Sequence, residues 1–239
     1  MEQRRSSNVL IIRIAHDLRD EASDWARGRM WIPRALLLSY LVYADYRLFT
    51  DPDSSTIFSG ITLAFHEMGH VLFSFLHIRF ITVLMGSGTQ VLIPIIVIVL
   101  FYKQQRDFFG MSVGGFWLSF SLFELARYVG DARAMELPLV NIGGGEAEHD
   151  WFYLLSTTHM LSLDHAFAFL IRVVALATGA ASLTFAVWLF NEMRRPKAKK
   201  LVLPVIHSRG GQAPSPVQAP TSDAAAKWDE LSKDVSPRA

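Results

Sequence analysis

Residues 66 to 70 read His-Glu-Met-Gly-His, inside the apolar run LAFHEMGHVLFSF. Burying two imidazoles and a carboxylate among Leu, Phe and Val costs free energy unless a partner compensates. On a helix, positions four apart share a face, so His66 and His70 can present both rings to one metal ion. Glu67, next in the chain to the first histidine, is placed to hold a water on that metal. Zinc lowers the pKa of such a water to about 7, and the carboxylate can take its proton as attack begins. Hydrolysis is the chemistry these types at this spacing serve best. Three other readings use the same residues: a hydrogen-bonded histidine pair between helices, a proton relay, and the H-x-x-x-H element of di-iron membrane oxygenases. The last needs further histidine pairs, and no H-x-x-H-H occurs in the chain.

A catalytic zinc needs a third protein ligand and an open position. The chain has no cysteine, so the ligand is His, Asp or Glu. His77 is seven residues beyond His70, about 10 Å along a helix and too far for the same ion. His159 and His165 lie further on, and Asp164 reads as a helix cap. Three candidates remain. His149 and Asp150 stand where a Gly-rich loop meets a helix, in GGGEAEHDWFYLL, and Asp131 follows an apolar segment in YVGDARAMELPL. His149 ranks first by residue type, with Asp131 and Asp150 as alternatives. Asp150 could instead cap the helix or orient a ligating ring, and Asp131 could pair with Arg127 or Arg133.

The chain that must position these groups has 239 residues, 51% hydrophobic and 19% charged. Its apolar residues cluster into stretches near the roughly 20 residues that cross a bilayer. The expectation is an all-α integral membrane protein, with the lipid bilayer as its solvent. A net charge of +1 gives no reason to expect nucleic acid as a partner.

Residues 1–31 read as an amphipathic interfacial helix, with Ile11, Ile14, Leu18, Ala22 and Trp25 on one stripe. Residues 32–193 form the membrane-embedded part. Spans are expected at 32–50, 57–78, 109–130 and 166–190, with 91–102 and 151–162 undecided, which leaves four to six transmembrane helices. Gly86, Ser87 and Gly88 in ITVLMGSGTQ predict a short re-entrant loop, or an exposed edge able to hold an extended peptide. NEMRRPKAKK then acts as a basic stop, and 194–239 reads as a basic, then disordered tail in the cytoplasm.

An H-E-x-x-H in a membrane helix, followed by a Gly-containing loop, further spans and a later acidic residue, resembles the site-2 protease class of intramembrane zinc metalloproteases. The likeness is architectural and covers residues 57–165. It implies zinc on His66, His70 and a distant aspartate, with Glu67 as the base and a membrane protein or peptide as substrate. The class's N-x-x-P-x-x-x-x-D-G element has no counterpart in LPLVNIGGGEAEHD. The HEMGH, GSGTQ, YVGDARAMELPL and HDW elements also resemble a group of bacterial membrane proteins, which implies a bacterial inner membrane. The expected function is a zinc metalloprotease. The alternative is a zinc- or ion-handling membrane protein with a closed ligand sphere, or with Glu124 and Asp131 lining a polar path.

Overall fold

A computed structural model describes residues 13, 16–51, 53–138 and 149–197. The first twelve residues, the Gly-rich stretch 139–148 and the tail from 198, expected to be disordered, lie outside that range. Among the described residues the architecture is helical, with no strand. The elements are α1 (16–26), α2 (Ile32–Thr50), α3 (Ser59–Phe73), α4 (Arg79–Leu100), α5 (Phe108–Gly130), α6 (Asp150–Thr157) and α7 (Asp164–Met193).

Among the described residues, three stretches are long and apolar enough to cross a membrane: Arg79–Gln105, Phe108–Gly130 and Leu161–Met193. They differ in what surrounds them. In its most apolar window α5 is 67% buried, against 28% for the other two. It is therefore the central helix, with Phe116 and Phe120 wholly enclosed. It packs along α7, while α3 lies along α4. The outer helices turn large apolar side chains outward, among them Leu36, Val71, Phe169 and Leu170. So much exposed apolar surface suits hydrocarbon as the surrounding solvent.

Local chemistry sets the helix ends. Asp107 begins α5 by accepting a hydrogen bond from the Gly110 amide at 2.9 Å, the usual work of an N-cap aspartate. At the other end, the Asp131 carboxylate accepts from the amides of Glu136 and Leu137 at 3.0 and 3.1 Å, folding the chain back on itself. Arg133 then pairs with the buried Asp164 at 2.7 Å and ties this turn to the start of α7.

The structure corrects two expectations and adds to a third. The GSG stretch is neither a loop nor a strand edge, because α4 runs unbroken through Gly86, Ser87 and Gly88. Two glycines in a helix cost about 1 kcal/mol each in propensity, and packing decides otherwise. A methyl group at Gly86 would run into the His70 and His66 imidazoles, and one at Gly69 into the Met85 carbonyl. The small residues let α3 and α4 approach closely. Second, 57–78 is not one span. The α-helix covers only Ser59–Phe73, a 3-10 turn follows at Ser74–Leu76, and His77 is left-handed at φ 54°. Third, the described part of α1 packs one side against the rest of the chain. Ala22 and Ala26 are buried, Trp25 meets Phe108 edge-on at 5.8 Å, and Ser23 donates to Glu192 at 2.7 Å.

Candidate metal centre

α3 carries His66 and His70 one turn apart on the face turned to α4. The Nε2 atoms of the two rings lie 3.1 Å from each other. The third group is Asp150, at the start of α6, whose Oδ2 lies 2.8 Å from His66 Nε2 and 3.1 Å from His70 Nε2. Ligands spaced around a tetrahedral ion with bonds of about 2.0 Å are roughly 3.3 Å apart. This triangle needs little adjustment to hold one.

The hydrogen bonds behind the triangle fix its chemistry. His66 Nδ1 faces Gln90 Oε1 at 3.1 Å, and the Gln90 amide donates to the Ser121 carbonyl at 2.9 Å. His70 Nδ1 faces the Thr82 carbonyl at 3.0 Å. Each acceptor is an oxygen without a hydrogen, so each Nδ1 carries a proton, and in the neutral ring that a metal requires each Nε2 presents a lone pair. Two lone pairs and a carboxylate oxygen then point at one spot. Such an arrangement repels itself unless a positive charge lies between the atoms. Ligating histidines commonly have this outer support, with the second nitrogen bonded to a carbonyl.

Asp150 is 9% exposed. His66 is 6% exposed, whereas His70 is half-buried, so the triad is approached from the His70 side. Glu67 is half-buried on the same turn of α3.

His149, ranked first by residue type, is not in the triad. Its Nδ1 accepts from the Phe152 amide at 3.2 Å and caps α6. Its Nε2 then carries the hydrogen and donates to Asp131 Oδ2 at 3.2 Å. Both ring nitrogens are occupied, and burial holds the imidazole below its ordinary value despite the pull of Asp131. The capping expected of Asp150 is done one residue earlier, which frees Asp150 to face the histidines. Asp131 pairs with neither Arg127, which meets Asp53 at 2.6 Å, nor Arg133. It anchors His149 instead. His77 lies exposed outside the site.

Several contributors carry no motif of their own. Gln90 and Thr82 orient the rings, Gly86 makes room for them, and Ser87 accepts a hydrogen bond from Trp151 Nε1 at 3.0 Å. All three residues of the HDW element are thus engaged: a cap, a candidate ligand and an anchor onto α4. The signal for this was GSGTQ, whose small and polar residues mark a helix face built for close approach.

Fold and site together define a class: a helical protein with helices long and apolar enough to span a membrane and a His-His-Asp group able to hold a metal ion. No family model matches the chain, nor does any curated protein or solved structure.

Proposed function

We propose that this chain is a membrane-embedded zinc metalloprotease that hydrolyses a peptide bond in or near the bilayer. The supporting observation is the convergence of His66 Nε2, His70 Nε2 and Asp150 Oδ2 within 2.8–3.1 Å, with both Nδ1 hydrogens committed to carbonyl oxygens. When bound there, zinc supplies Lewis acidity, polarising a carbonyl and lowering the pKa of a water to about 7.

His66, His70 and Asp150 hold the ion. These three gather among the described residues, and three protein ligands with one position kept for water or substrate is the pattern of a catalytic zinc. Glu67 takes the proton of the attacking water and returns it to the leaving amine. The likeness to site-2 proteases supports the same roles, since Asp150 supplies the distant aspartate that the likeness implies. In this reading α2 and α3 pack with the three long helices in one membrane-embedded body. The basic stop after α7 faces the cytoplasm of a bacterial inner membrane.

The test pairs metal analysis with cleavage of a co-expressed, membrane-anchored candidate substrate. Glu67→Gln is expected to keep its zinc while cleavage falls by about 10²–10⁴-fold, the usual contribution of a general base. Retained zinc with undiminished cleavage would remove Glu67 from the mechanism.

A further inference from the structure

Tyr128, near the end of α5, opens the YVGDARAMELPL stretch, and its hydroxyl meets the chain at Asp150. The Asp150 backbone amide donates to that oxygen at 3.0 Å. A phenol can accept and still donate one hydrogen of its own, and among the described residues no acceptor takes that hydrogen. The ring is clamped. It stacks on His149 with centroids 4.4 Å apart, and His66 meets it edge-on at 5.8 Å. The hydroxyl oxygen therefore has a fixed place. Covalent reach from the Asp150 amide puts it within about 7 Å of the Asp150 carboxylate. It is a buried-side donor, held in advance, with its hydrogen uncommitted.

We propose that the Tyr128 hydroxyl donates a hydrogen bond to the substrate oxygen that gathers negative charge when a carbonyl seated at the triad is attacked. This rests on the hydrolytic reading above and adds a residue to it. Donors positioned ahead of the reaction, where charge will develop, contribute about 10²–10³-fold each to the rate. The competing role is mechanical, with the ring merely spacing α6 from α5. Phenylalanine keeps the ring and its packing and removes only the hydrogen-bonding oxygen, so Tyr128→Phe separates the two.

The experiment uses the full-length, zinc-loaded protein in detergent and two probes. A peptidyl hydroxamate brings oxygen atoms to the metal, whereas a peptidyl thiol brings sulfur alone. Zinc content and thermal melting are followed beside calorimetric binding. Tyr128→Phe is expected to keep its zinc, bind the hydroxamate about tenfold more weakly and bind the thiol as before. Equal hydroxamate affinity in both proteins would overturn the proposal. So would equal weakening of both probes, or loss of zinc or fold in the variant, since each assigns Tyr128 to holding Asp150 in place. If the zinc-loaded parent protein binds neither probe, the hydrolytic reading itself fails and this proposal falls with it.

Discussion

Two nitrogens of one imidazole cannot both serve a neighbour and still serve a metal, and this decides between His149 and Asp150. His149 spends Nδ1 on the α6 cap and Nε2 on Asp131. Asp150 keeps Oδ2 for the two motif histidines. Removing each should therefore have different consequences. In zinc titrations by equilibrium dialysis, Asp150→Ala should abolish tight binding because a ligand is gone. His149→Ala and Gln90→Ala should keep the ligand set and weaken binding by about 10–100-fold, the usual effect of losing an orienting partner. A His149 variant without zinc beside an Asp150 variant with normal affinity would reverse the assignment. The sequence made the histidine pair and its glutamate legible because their spacing is local. The third partner is 84 residues from His66. Residue type favoured a neighbour whose nitrogens the backbone had already claimed, and that use appears only once the loop is folded.

At the scale of the helices, the site depends on how closely α3 and α4 approach. Glycine weakens a helix by about 1 kcal/mol relative to alanine, so Gly86→Ala would ordinarily stabilise. Here the added methyl meets the His70 and His66 rings. The variant should melt lower than the parent and bind zinc more weakly. Gly60, also in α3, has open space on all sides, with nothing within 4 Å of where an added methyl would sit. Gly60→Ala should raise stability by up to about 1 kcal/mol and leave zinc binding unchanged. Thermal melting with and without zinc checks both, and a stabilised Gly86→Ala protein would show that the close crossing is not needed. The same contact explains why GSG misled as a sequence. Taken alone, two glycines and a serine read as a break, whereas against a second helix they are the residues that fit. The undecided segments resolve in the same way: 91–102 is the end of the long α4 running into the π-helical turn Phe101–Gln105, and 151–162 holds all but the first residue of the eight-residue α6.

For the molecule as a whole, apolar composition made the helical class and the spans of α5 and α7 legible, because length and hydropathy are properties of continuous segments. Arg79–Gln105, by contrast, was hidden by its GSG stretch. The short α3 was not legible either, since its end is set by the 3-10 turn and the left-handed His77 rather than by a polar residue. The exposed apolar surface of α2, α3, α4 and α7 predicts that the protein stays with the membrane after an alkaline wash and is released only by detergent. Release by the wash alone would contradict an embedded body. Zinc retention should also depend on pH. Both imidazoles must be neutral to ligate, so acidification puts protons in competition with the metal and zinc is lost as pH falls. Dialysis across a pH series should show that loss, and retention that is flat with pH would speak against histidine ligands.

The most direct measurement is elemental analysis of the purified, detergent-solubilised protein beside a variant carrying His66→Ala, His70→Ala and Asp150→Ala together. The parent should carry a single divalent ion per chain, zinc by preference, and the variant none while retaining its helical content. A metal-free parent, or a variant that keeps the same metal, would contradict the assignment of these three side chains as a metal centre.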